Sequence, residues 1–230
     1  MTFTLPCVRW PISPCRPRPA DSNGHLGWFP PADVGYSVVM TTLLLFHHAQ
    51  GQTTGFLAFA DELRKAGHTV HTPDLYDGKT FEDLDEGVAY AGKVVGFDEI
   101  MRRGTAAATD LPADIVYAGF SLGVMPAQSL AQTRPGARGA ILYSAAMPAS
   151  EFGGSWPEGV PFQIHMMDAD PWAEEDRPAA EALVAGVDDA ELFLYRGSGH
   201  LFADSSLGDY DEEAAGLLKE RTLAFLDRVG

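Results

Sequence analysis

Cysteine is nearly absent: the 230 residues contain two, Cys7 and Cys15, and both lie in the opening segment. A core without thiols cannot depend on disulfides, which suits a reducing compartment, so a cytoplasmic location is the expectation. The two cysteines are read as free thiols rather than a pair. Long hydrophobic runs are also missing. None approaches the roughly 20 residues that span a bilayer, and no charged stretch followed by an apolar one marks a secretory leader. Basic residues are scarce, 16 Lys and Arg against 32 Asp and Glu, for a net charge of −16. That balance argues against nucleic acid or an anionic membrane surface as partner. The acidic excess itself is read as a solvated surface with no function assigned. Internal repeats are absent.

Proline is distributed unevenly. Pro6, Pro11, Pro14, Pro17, Pro19, Pro30 and Pro31 interrupt any helix or central strand, and no apolar period survives among them. Residues 1–39 are therefore expected to be a disordered, proline-rich extension, and 40–230 the folded domain. Met40 stands directly before the first convincing strand, which makes it a candidate start of translation.

From Thr42 the pattern becomes regular. Leu43 to Phe46 is a short apolar run of the kind expected for a parallel strand covered on both faces. A polar loop, His47 to Thr54, leads into a helix with Phe56, Phe59, Ala60 and Leu63 on one side, ending near Gly67. Residues 68–72 read as a second strand closed by Pro73, and 81–108 as mostly helical, divided at Gly96. Further strands are expected at 114–118, 140–143, 162–166 and 192–195, with helices through about Thr133, around 179–185 and at the C-terminus. Asp209 is the expected N-cap of the last helix, with Glu212 three residues on and Tyr210, Ala214, Leu217, Leu218, Phe225 and Leu226 as its buried stripe. Strands alternating with helices imply right-handed crossovers and one α/β domain. The expectation is a three-layer sandwich around a mainly parallel sheet of about six strands. The insertions after the strands are short, so no large cap domain is expected and the pocket should be shallow and open.

The chemistry centres on Gly119-Phe120-Ser121-Leu122-Gly123, between an apolar run and a helix-forming stretch. Strand, sharp turn, helix is the context in which G-x-S-x-G presents a serine as nucleophile. Side chains two residues to either side would collide in so tight a turn, which accounts for the glycines. In an open parallel sheet, ligands gather beyond the carboxyl ends of the strands. That rule brings Ser121, then Asp168 or Asp170, then His200 to one edge, in the order Ser, Asp, His of the α/β-hydrolase triad. His200 would take the serine proton and return it to the leaving group, with an aspartate fixing its tautomer. The backbone N–H of Leu122 and one from the first-strand loop, Ala49 or Gln50, would hold the oxyanion. His48, Tyr76, Met147, Trp156, Trp172 and Phe202 follow strand ends and are candidate walls of a substrate pocket, as Phe152 is. His47, His48 and His165 lack the spacing of a zinc site, so neither metal nor cofactor is expected.

Five stretches together resemble the dienelactone hydrolase family of α/β-hydrolases, across roughly residues 42–228: HHAQG at 47–51, PDLYDG at 73–78, AGFSLGV at 118–124, HMMDADPW at 165–172 and GHLFADSS at 199–206. The resemblance implies an acid in the register of Asp170, before Pro171-Trp172, and a histidine at His200. Two departures stand out. Dienelactone hydrolases proper carry cysteine at the elbow, where this chain has Ser121. Four residues beyond the histidine they carry an arginine that helps to hold a substrate carboxylate, where this chain has Asp204. A carboxylate there would repel an anionic substrate, with Lys79 the nearby cation. The implied activity is hydrolysis of a small neutral ester, lactone or thioester by a serine enzyme. A catalytically silent binding module and an acyltransferase are the alternatives, and oligomeric state is not legible.

Overall fold

Six parallel strands form one sheet in the order β2-β1-β3-β4-β5-β6: β1 Thr42–Phe46, β2 Thr69–His71, β3 Val116–Phe120, β4 Gly139–Tyr143, β5 Phe162–Met167 and β6 Ala190–Tyr195. This arrangement comes from a computed structural model that describes residues 40–230. The expected extension at 1–39, with Cys7 and Cys15, lies outside the described residues.

Because successive strand residues point to opposite faces, each central strand feeds two cores. Leu44 and Phe46 of β1, Tyr117 of β3, Leu142 of β4 and Ile164 of β5 pack on one side with Ile100 of α3 (Phe97–Ala107), Ala127 and Leu130 of α4 (Val124–Thr133) and Leu183 of α5 (Arg177–Ala185). Numbering of the helices begins with α1 (Thr54–Lys65) and α2 (Leu84–Tyr90), and α6 (Glu212–Val229) is the last. Leu43, Leu45, Val116, Ala118, Ile141 and Tyr143 face the other side, against Phe56, Phe59 and Leu63 of α1 and Leu218, Phe225 and Leu226 of α6. The result is the expected α/β sandwich of three layers. No described helix is long and apolar enough to cross a membrane.

Strand order reverses direction between β1 and β3, the kind of switch point beyond whose carboxyl ends open α/β sheets bind their ligands. This places residues 47–54 beside Ser121.

Three local readings are corrected. The third strand runs two residues further than its apolar stretch, through Gly119 and Phe120, because pairing with Leu142 and Tyr143 continues to the start of the turn. The division at Gly96 (φ 89°) is preceded by a wide π-type turn, Ala91–Val95. The last helix is capped by Asp211, whose carboxylate accepts from the Ala214 N–H, since Asp209 is engaged elsewhere. Tyr210 therefore precedes the helix, and both Tyr210 and Leu217 are exposed instead of joining its buried stripe.

Candidate active site

Ser121 sits at the junction of β3 and α4 with φ 49°, a left-handed conformation that a serine adopts at a cost. The turn is that tight because Gly119 and Gly123 permit it. A Cβ on Gly119 would lie 2.1 Å from the Gly123 carbonyl oxygen, and one on Gly123 would lie 2.6 Å from that of Phe46. The hydroxyl is thereby lifted clear of the sheet, at the start of α4.

His200 reaches this serine from the loop after β6. Its Nε2 lies 2.8 Å from Ser121 Oγ, and its Nδ1 lies 2.6 Å from Asp170 Oδ2. Asp170 and His200 are both buried, and the other carboxylate oxygen of Asp170 accepts the Trp172 N–H at 2.9 Å. Asp168, the alternative acid, turns away: its Oδ1 accepts from the Gly197 N–H at 3.1 Å, closing the loops after β5 and β6.

The backbone of His200 is held from both ends. Its N–H donates to Asp209 Oδ2 at 3.0 Å, and its carbonyl accepts from Ser144 Oγ at 2.5 Å. Neither partner was legible as a site residue. Ser144 looks like any serine after a strand, yet it is buried with φ 63°. Asp209 resembled a helix cap because Asp-x-x-Glu mimics one.

The loop after β1 is equally constrained. His47 donates from Nδ1 to the His48 carbonyl at 2.7 Å and accepts the Leu75 N–H on Nε2 at 3.0 Å. Burial, partly offset by that bond to His48, holds its pKa down to about 4. His48 accepts the Gln50 N–H on Nδ1 at 3.2 Å and donates from Nε2 to Asp204 Oδ2 at 2.9 Å. The Gln50 N–H expected at the oxyanion is thus turned to His48, and its side-chain amide donates to the carbonyls of Phe81 and Glu82. Ala49 is buried beside it. A Cβ on Gly87 would lie 2.3 Å from the Ala49 carbonyl oxygen, so α2 can seat on this peptide only because residue 87 is glycine.

Asp204 does not face a substrate. It is buried and accepts from His48, from the Thr53 hydroxyl, and from the N–H and hydroxyl of Ser206 at 2.9 and 2.6 Å. Burial would raise its pKa, but the bonds from His48, Ser206 and Thr53 outweigh that and hold it at about 2. A different carboxylate feels the charges of His200 and Asp170. Burial raises the pKa of Asp176 against the opposing pull of the Ala146 N–H and of His200.

The expected pocket walls divide. Trp172 lies near the histidine, 47% exposed with its ring centroid 6.0 Å from that of His200. Met147 is part-buried, its backbone N–H and carbonyl both bonded to the buried amide of Gln128 at 2.9 and 2.7 Å. Tyr76 is fully buried against His47 and Tyr90, with no hydrogen-bond partner for its hydroxyl among the described residues. Two residues belong elsewhere. Trp156 packs 4.2 Å from Phe162 and donates to the Val160 carbonyl, at the amino end of β5, because the loop after β4 runs back down the sheet. Phe202 is buried in the α1–α6 core, 5.1 Å from Tyr195. His165, also buried, bonds to Tyr195 and Gln163.

A family model described as the dienelactone hydrolase family matches residues 32–230. No curated protein matches. Solved structures with the same fold include a dienelactone hydrolase-like promiscuous phosphotriesterase from metagenomic libraries, with TM-score 0.64, 17% identity and coverage of 82% of this chain and 86% of that one. Esterase PE8 gives TM-score 0.59 and 19% identity over 83% and 93% of the two chains. Esterase 2 of Thermogutta terrifontis, phosphonylated by cyclosarin, gives 0.55 and 19% over 83% of each. At these identities the likeness speaks for the fold alone.

Proposed function

This chain belongs to the dienelactone hydrolase family of carboxylic-ester hydrolases, and we propose that it hydrolyses a small neutral ester, lactone or thioester through an acyl-enzyme on Ser121. The observation that carries the reading is the unbroken line Asp170–His200–Ser121, with bonds of 2.6 and 2.8 Å.

His200 Nε2 takes the proton as Ser121 Oγ attacks the carbonyl carbon, and Asp170 steadies the imidazolium that forms. The negative charge moves to the carbonyl oxygen, which the N–H groups of Leu122 and Ala49 receive at the start of α4, where the helix dipole favours an anion. Ala49 is chosen over Gln50 because the latter's N–H is bonded to His48. His200 then protonates the leaving oxygen or sulfur. Water, activated by the same nitrogen, attacks the acyl carbon and releases the acid and Ser121.

A neutral substrate is supported by the charges at this edge. Position 204 offers a carboxylate consumed by its own donors, and Asp168, Asp170, Glu174 and Asp176 crowd the loop after β5. An anionic group placed among them would meet like charge and be repelled. Steady-state turnover of p-nitrophenyl butyrate against an anionic dienelactone tests the reading. A clear preference for the neutral ester is expected, and brisk turnover of the anion with little on the ester contradicts it.

A further inference from the structure

We infer that His48 and Asp204 form a second histidine–carboxylate pair that positions the oxyanion-binding turn at Ala49, with His48 Nδ1 as the atom that holds it. The inference rests on the acyl-transfer reading above and adds to it a control on one of the two oxyanion donors.

Asp204 is built to hold one fixed orientation. Oδ2 takes the Nε2–H of His48 and the Thr53 hydroxyl, while Oδ1 takes the N–H and hydroxyl of Ser206. Thr53 is also the N-cap of α1 and accepts the Phe56 N–H at 3.2 Å, so its proton points to the carboxylate and not to the helix. Gly55 shows how closely the group is seated: a Cβ there would lie 1.8 Å from Asp204 Oδ1. A charged carboxylate in this nest, at the start of a helix, strongly favours a donor on His48 Nε2.

That choice fixes the tautomer. With the proton on Nε2, Nδ1 carries a lone pair and accepts the Gln50 N–H. The turn that carries the Ala49 N–H is then clamped in successive peptides: the His48 carbonyl accepts from His47 Nδ1 and from the Gly51 N–H, the Gln50 N–H donates to His48 Nδ1, Gly87 seats against the Ala49 carbonyl, and the Gln50 carbonyl accepts the Phe81 N–H at 3.0 Å. With the Gln50 N–H bonded inward, the Ala49 N–H is the donor of this turn left for an oxyanion at Ser121. Asp204 and His200 lie four residues apart in one loop, so the same segment that carries the general base also sets the oxyanion donor. His48 and Asp204 touch no reacting atom and are positioning residues.

Two substitutions separate the nitrogen atoms. His48→Asn keeps an acceptor near the place of Nδ1 and loses the bond to Asp204, whereas His48→Gln keeps a donor near Nε2 and loses the acceptor for Gln50. Both variants and the wild type are titrated for active sites with a fluorophosphonate and then assayed with p-nitrophenyl butyrate. A short-chain trifluoromethyl ketone is the inhibitor, because its hemiketal places an oxyanion where the tetrahedral intermediate would. We expect kcat to fall about tenfold or more in His48→Gln, short of the 10²–10³-fold for outright loss of an oxyanion donor. KM should stay within about twofold, and the inhibition constant should rise in parallel with the loss in kcat/KM. His48→Asn should retain more of the wild-type kcat, though it is the less stable protein. A role confined to tying two loops together gives the reverse order, so equal or reversed kcat values, or an unchanged inhibition constant, overturn the inference. Absence of any turnover by the wild type would instead fell the acyl-transfer reading, and this inference with it.

Discussion

The Ser144 hydroxyl donates to the main-chain carbonyl of His200 at 2.5 Å, across 56 residues of sequence. Ser144 holds a left-handed backbone, φ 63°, to do so, and its own N–H donates to the His165 carbonyl at 2.7 Å. A buried residue under backbone strain that grips the histidine is expected to matter for its placement. Ser144→Ala should cost about 1–2 kcal/mol in urea unfolding, for a lost bond and an unmet carbonyl, and should lower kcat about tenfold or more through displacement of the ring. Ser144→Gly relieves the strain without restoring the bond, so it should recover stability but not kcat. Recovery of kcat in the glycine variant would remove Ser144 from this role.

The two aspartates after β5 should separate sharply. Asp170→Asn removes the acceptor at His200 Nδ1 and permits the wrong tautomer, so kcat should drop roughly 10³–10⁴-fold with the fold intact. Asp168→Asn touches only a loop bond to Gly197 and should stay within about threefold of wild type. Kinetics on the two purified variants, with circular dichroism as the control for folding, decides it.

The elbow glycines make a stability prediction. Gly119→Ala forces a methyl to 2.1 Å from the Gly123 carbonyl oxygen, and two backbone segments must shift. A loss of about 2–4 kcal/mol is expected from the urea midpoint. Gly154→Ala, with nothing within 4 Å of its added Cβ but a left-handed backbone of its own at φ 99°, should lose only about 1 kcal/mol.

Acid should unfold this protein before its carboxylates titrate. Burial, reinforced by nearby Arg221, lowers the pKa of His165 to about 3, burial lowers that of His47 to about 4, and His68 shifts the same way. In each case the unfolded chain binds the proton first, near pH 6.5. Stability is therefore complete above that pH and lost as pH falls towards 4 and 3, by up to about 1.4 kcal/mol per pH unit for each histidine. Asp204, held at about 2, adds a further loss only below about pH 4. Urea midpoints at pH 7, 6, 5 and 4 should fall steadily, and His165→Gln should flatten the slope by about one proton.

Much of the fold was legible because its signals are local. The short apolar runs mark strands buried on both faces, and the glycines around Ser121 declare a turn that no other residue permits. Reading polar residues at strand ends brought Ser121, His200 and either Asp168 or Asp170 to one edge, and only the family resemblance favoured Asp170. What stayed hidden depends on contacts distant in sequence. Asp209 looked like a helix cap, and only the fold shows its carboxylate drawn to the His200 N–H, which leaves Asp211 to cap α6. Trp156 follows a strand end in sequence, yet its loop folds back to the opposite edge. Asp204 was conspicuous as a departure, but a charge facing a substrate and a charge inside a nest of four donors read alike in one dimension.

In the proposed mechanism Ser121 is the nucleophile of an acyl-enzyme, activated by His200. Intact-mass spectrometry after brief exposure to a fluorophosphonate tests it most directly. One adduct per chain is expected, mapped to the peptide carrying Ser121, absent in Ser121→Ala and slowed about 10³-fold or more in His200→Ala. A folded wild-type protein that takes no adduct, or an adduct that persists in Ser121→Ala, would contradict it.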